Sequence, residues 1–328
     1  MKLTSLVCLA ALAAAPAFAV DPALLQMAPD GAKALAGMQI AQGKQSPLGR
    51  YVLQHLGTPG PRAQAWMSQA GFDPRRDLTE VLVAATGSST SVNGGLVLAR
   101  GTFDTARLGA AMEAHGGVHT VVLGADVYSG GKAPHPWSVA FPDNTTAVMG
   151  APDDVNAALT RRASATPVST SLSGEVDQLS ATNDFWFLTL GPLSEFAKAV
   201  PDPSVSNAFQ NGSMFQAVTQ ASGGLHFGDN VVFSADAVTR SDKDAQSLQD
   251  VVRFLVSMIQ SNKQQNAMSQ QISSILNSLT LSTNANVMHL SLSIPESQVE
   301  ALLAASSQQR RSMRPPMRHA PPAPPQGN

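Results

Sequence analysis

The chain has 328 residues, of which 43% are hydrophobic and 13% charged, with a formal net charge of −2. Soluble proteins usually carry about 25% charged residues, so charge is sparse here, and Lys plus Arg (21) nearly balances Asp plus Glu (23). That balance argues against a nucleic-acid binder, and the hydrophobic content argues against a disordered chain.

Residues 1–19 read MKLTSLVCLAALAAAPAFA. Lys2 supplies a positive start, Leu3 to Ala15 an apolar run, and Ala17-Phe18-Ala19 the small-x-small pattern of an export signal. Cleavage is expected after Ala19, leaving 309 residues that begin with Val20. The run is too short to span about 30 Å of hydrocarbon comfortably. Val7 precedes Cys8 where lipidation would need a small residue, and cleavage removes this lone Cys, so no intrachain disulfide is expected. The protein is expected to be exported, to the periplasm or beyond, with no transmembrane helix.

Residues 22–69 read as helical, with Ala34, Leu35, Met38 and Ala41 at helical spacing and a break at 42–47. Asp73-Pro74 forms an N-cap pair ahead of a strand over 80–85. A strand over 95–100 precedes a helix that Gly116-Gly117 ends. Residues 118–128 read as one strand bent at Gly124, and 137–149 as a hairpin across Pro142-Asp143-Asn144. Pro152-Asp153-Asp154 opens a helix that Arg161-Arg162 closes, as the helix dipole favours.

A Ser/Thr/Ala-rich linker is expected at 163–174, then a strand over 184–190, a short helix over 193–200 and paired strands at 223–227 and 231–239. Residues 242–260 form an amphipathic helix with Leu248, Val251, Leu255, Met258 and Ile259 on one face. The pattern resumes at Met268, strands follow at 280–284 and 287–294, and Pro295-Glu296 starts a last helix. Trp137 and Trp186 are expected in core strands. The segments 145–159 and 286–303 both place Pro at a helix start after a strand. The expected fold is therefore α+β: two similar units of mainly antiparallel sheet, at 20–165 and 166–305, with helices packed on one face. After Ala305, four arginines (Arg310, Arg311, Arg314, Arg318) and a Pro-rich end predict an extended basic tail over 306–328.

The segments Gly71-Phe72-Asp73-Pro74-Arg75-Arg76-Asp77-Leu78 and Leu98-Ala99-Arg100-Gly101-Thr102-Phe103-Asp104 resemble a family of uncharacterised exported bacterial proteins. The resemblance covers most of the chain apart from the tail. It implies export and this architecture, and it carries no activity and no catalytic residue.

Motifs for chemistry are missing. His115 and His119 stand four apart, but Gly116-Gly117 interrupts the helix that zinc ligation would need. Gly130-Gly131-Lys132 has Asp126 and Ala133 where a phosphate loop needs Gly and Ser or Thr, and neither GxSxG nor a dinucleotide fingerprint occurs. Asp153-Asp154 and Asp242 with Asp244 sit at helix starts, where capping explains them. No cofactor or metal is implied. The densest charged group is Asp73, Arg75, Arg76 and Asp77, which reads either as a paired turn or as an anion or partner contact, with Trp66 nearby. The expectation is a non-catalytic binding protein of the cell envelope, whose partner is an envelope protein, a peptide or a lipid. The alternatives are an assembly factor tethered by the tail arginines, or a hydrolase with a spatially assembled site.

Overall fold

A computed structural model of the chain describes residues 20–55, 60–85, 95–133, 136–192, 213–261 and 273–302. The export signal, the helix at 193–200, Met268 and the tail arginines Arg310, Arg311, Arg314 and Arg318 lie outside the described residues.

The strands are β1 (Ala34–Gln39), β2 (Leu78–Ala85), β3 (Gly95–Gly101), β4 (Val118–Val122), β5 (Ala125–Gly130) and β6 (Trp137–Asp143). Then come β7 (Thr146–Gly150), β8 (Phe185–Thr189), β9 (Val218–Phe227), β10 (Asn230–Thr239), β11 (Leu279–Asn284) and β12 (Val287–Pro295). They form one antiparallel sheet of 12 strands in the order β11-β12-β10-β9-β8-β1-β2-β3-β7-β6-β5-β4. The helices are α1 (Pro22–Met27), α2 (Ile40–Gly43), α3 (Pro47–His55), α4 (Pro61–Ala70), α5 (Pro74–Asp77) and α6 (Thr105–Ala114). They continue with α7 (Pro152–Ala163), α8 (Thr170–Thr182), α9 (Ser213–Gln216) and α10 (Asp242–Ser261). The fold is α+β, as expected.

The residues expected to be one helical lead-in contain β1, the strand that joins the two halves of the sheet. The spacing of Ala34, Leu35 and Met38 suits a helix, yet the same hexamer alternates in burial, and partners on both sides decide for the strand. Gly37 meets Leu82 of β2 on one side and Trp186 of β8 on the other. Trp186 is fully buried, and a Cβ at position 37 would stand 2.4 Å from its ring. The bare glycine is what admits the indole.

Helices pack on both faces, not one. On the first face, α1, α7 and α8 cover Leu35, Leu82, Leu96, Leu98, Val148, Trp186 and Leu188. Burying Leu24, Leu25 and Met27 of α1 there stabilises the fold by about 1.5–3 kcal/mol per side chain. On the second face, α4 and α6 cover Ala99, Tyr128 and Phe141, while α9 and α10 cover Val218, Ala237 and Met288. The physical reason lies in the strands: adjacent residues such as Leu82 and Val83 are both apolar, so each face needs cover.

Four further expectations are corrected. Residues 118–128 are two strands joined by Leu123 and Gly124, whose φ values of 51° and 81° make the tight turn that matches strand twist. The linker gives way at Ser169, whose side chain accepts a hydrogen bond from Leu172 N–H and caps α8. Trp137 is 36% exposed at the start of β6, its ring lying against Gly130, while Trp186 is core as expected. On α10 the inward line runs through Ala245, Leu248 and Val252, leaving Phe254, Leu255 and Met258 exposed.

The Gly37–Trp186 contact makes a direct test. Gly→Ala within a strand ordinarily stabilises by about 0.5–1 kcal/mol. Here Gly37→Ala should instead destabilise by about 1–3 kcal/mol through overpacking, read as a lower urea midpoint at unchanged slope.

Candidate functional site

The second face of the sheet has apolar residues open to solvent at its centre. In register across five neighbouring strands lie Phe187, Ala36, Val83, Val97 and Met149. The adjacent row is Phe185, Met38, Val81, Ala99 and Ala147. None of these ten side chains carries a hydrogen-bonding group. Met38 and Val83 are each 40% exposed and Met149 is 47% exposed, and apolar residues exposed together, unlike ones scattered singly, mark a surface with a role. Four strand spacings of about 4.8 Å make the strip about 20 Å wide. It passes under the α4 and α6 side through Val139 and Tyr128, and under the α10 side through Gly223, Ala235 and Leu290. The result is an apolar floor between two helical walls.

The first face carries a polar network at one end. Asp21 caps α1 by accepting from Ala23 N–H at 2.8 Å, and its other oxygen accepts from Arg100 Nε at 2.5 Å. Arg100 also donates to Thr145 Oγ1 at 3.0 Å and Thr146 Oγ1 at 2.5 Å. Both threonines donate to Asp143, which also accepts from Arg162 at 2.8 Å. Arg161 donates to the Met27 carbonyl, so the two arginines closing α7 tie it to α1 and β6 as well as serving its dipole. Behind Asp21 lies Glu80, 7% exposed, whose two oxygens accept from Asp21 N–H at 3.3 Å. Burial pushes the Glu80 carboxyl up to about 7, assisted by the Asp21 charge and opposed by that N–H and by Arg100.

The arginines singled out in the sequence build a turn. Arg75 pairs with Asp73 at 3.2 Å, and Arg76 with Asp77 at 2.6 Å while also donating to the Gly71 carbonyl at 2.8 Å. The side-chain hydrogen bond from Arg75 lowers the Asp73 carboxyl, and that from Arg76 lowers Asp77. Arg107 lies beside them, donating to the Gln69 and Ser68 carbonyls at the end of α4. A hollow of about 460 Å³ lined by Gly71, Asp73, Arg76 and Arg107 is thus ringed by groups already bonded to one another. Trp66 is half-buried against Phe72 and Leu78 in the core under α4 and α6. His115 contacts Gln69 at 3.2 Å, and His119 pairs with Asp126 at 2.9 Å and stacks on Tyr128. Among the described residues, no three His, Cys, Asp or Glu side chains converge on a metal position, and no helix is long and apolar enough to cross a membrane.

The exposed strip escaped motif reading because its members come from five strands. A trace of it was present: Val81-Leu82-Val83-Ala84-Ala85 is apolar on both faces, a pattern of strands buried on both sides. Comparison with models of protein families, with curated proteins and with solved structures finds no match for this chain.

The network makes a pH prediction. Burial alone would raise the Asp143 carboxyl, but the Thr145 hydroxyl and N–H, the Thr146 hydroxyl and Arg162 outweigh it and hold it at about 2. A carboxylate lowered by folding supports the fold above its unfolded value of 3.8 and loses that support as pH falls through about 2. Asp143→Asn should therefore remove about 1 kcal/mol of the stability difference between pH about 4 and 2, a figure reduced for solvent screening. Urea unfolding of both proteins across that range measures it.

Proposed function

We propose that this is an exported, non-catalytic binding protein of the bacterial cell envelope that carries an apolar ligand of the lipid acyl type on the open strip. The observation that carries this reading is the pair of in-register apolar rows, with Met38, Val83 and Met149 open to solvent between helical walls. The strip offers no side-chain donor or acceptor, and its strand backbones are engaged in the ladder. A polar peptide laid there would lose hydrogen bonds to water without replacement, at a cost of about 1–3 kcal/mol per group. A hydrocarbon chain loses none and gains about 0.8 kcal/mol per methylene buried.

Export is supported by the signal pattern of residues 1–19. The reading of two similar units is supported by connectivity. Hairpin β2–β3 is followed by α6, then β4, β5 and β6, and then by a return strand, β7, beside β3. Hairpin β9–β10 is followed by α10, then the single strand β11, and then by a return strand, β12, beside β10. In this reading the β1–β8 pair lies at the centre of a pseudo-twofold arrangement, and the strip runs across it.

Titration with a fluorescent fatty acid tests the proposal. Saturable binding is expected, with Met38→Asp and Val83→Asp each weakening it at least tenfold. Val121→Asp, on the exposed edge strand β4, should leave it unchanged. No binding by the parent chain, together with a dimer in sedimentation that Met38→Asp dissolves, would show that a second copy occupies the strip and would overturn the ligand reading.

A further inference from the structure

We infer that export processing builds a buried ion pair, in which the α-ammonium freed at Val20 sits on Ser180 Oγ and is neutralised by the Glu80 carboxylate. The inference rests on the reading that residues 1–19 are removed after Ala19. Hydrolysis of that bond by an envelope signal peptidase consumes one water, leaving a carboxylate on Ala19 and an ammonium on Val20.

The first described residue is already part of the core. Val20 is 2% exposed, and it leads into α1, whose Leu24, Leu25 and Met27 are buried. Its nitrogen donates to Ser180 Oγ at 3.2 Å, and Ser180, fully buried on α8, donates in turn to the Asp177 carbonyl. One residue on, Asp21 N–H lies 3.3 Å from both Glu80 oxygens. Successive backbone nitrogens are at most about 3.6 Å apart, which brings the Val20 nitrogen within about 7 Å of the carboxylate.

Among the described residues, charge balance around this point is one positive charge short. Asp21, ahead of α1, and Arg100, from β3, neutralise each other. Asp143 from β6 and Arg162 from α7 form a second pair. Gln39 of β1 and Ser180 of α8 contribute no charge. Glu80 of β2 is left without a cation of its own among the described residues, in a setting where burial opposes its ionised form. A peptide-linked Val20 offers a single N–H and no charge. A freed Val20 offers a positive charge and three donors near a carboxylate whose bonds come from the Asp21 N–H and the Gln39 side chain, both neutral. Processing would thus complete the anchor of α1 on the sheet, and Glu80 would be ionised throughout the neutral range only in the processed chain.

The experiment compares the chain beginning at a free Val20 with the same chain acetylated at Val20. Each is made with Glu80 and with Glu80→Gln. At pH 7 the free chain should have a folding equilibrium constant about tenfold larger than the acetylated one. Glu80→Gln should shrink that ratio to below about twofold. In the acetylated chain, folded Glu80 holds its proton more tightly than the unfolded chain does. Its stability should therefore fall as pH rises from about 4.5 through 7, and the free chain should show a weaker fall. Equal stability of free and acetylated chains, or a difference that survives Glu80→Gln, would overturn the ion pair. The N-terminal peptide mass of the exported protein tests the processing step separately, and a start other than Val20 would overturn that step alone.

Discussion

The structure hangs on the ladder between β1 and β8. Five residues of β1 pair with β8 on one side, and all six pair with β2 on the other. Without this short strand the sheet would part into β2–β7 and β8–β12. What lets it fit is the lack of a side chain at Gly37, over which the Trp186 indole lies. The indole buries a large apolar area in the middle of the first face, although its Nε1 finds no acceptor there. Packing outweighs that unmade hydrogen bond, as large aromatic burial commonly does.

From this centre the two faces diverge. The first face is covered over its middle: α1 and α7 cover β3, with α7 reaching β7 and β6, and α8 covers β1, β8 and β9. Its polar groups are gathered at one end, where Arg100 and Arg162 bridge α1, β6 and α7. The second face is closed only at its flanks. The helices α6 and α10 stand over opposite wings of the sheet, and the strands between them expose Met38, Val83 and Met149. On this face the packed helices reach only the two wings and fall short of the centre, because each spans about 10 Å. The open strip follows from that shortfall, and it gives the molecule an apolar surface that a soluble protein would normally cover.

Local signals made much of the outline legible. The hairpin across Asp143 and Asn144, the cap at Asp73-Pro74 and the start of α7 at Pro152 all follow from turn and cap chemistry that acts over a few residues. The helix over 242–261 was legible from its periodicity, but which of its apolar residues faced the sheet was not. Periodicity marks an apolar stripe and does not say how much of it a partner covers. Arg75 and Arg76 stood out because charge is scarce here, yet their partners are the aspartates beside them. Glu80 passed unnoticed, since nothing local distinguishes a strand glutamate at the surface from one enclosed by α1.

The amino-acid sequence by itself determined the α+β class, the turns, most helix starts and the scarcity of charge, because each depends on residues close together in the chain. Only the tertiary structure decided that Ala34–Gln39 is a strand, that the two halves share one sheet, and that apolar residues of five strands stand in register with Met38, Val83 and Met149 left open to solvent. Those outcomes depend on pairing between residues up to about 150 positions apart. Backbone hydrogen bonds and cross-strand packing settle such pairings, and neither is encoded in any one segment.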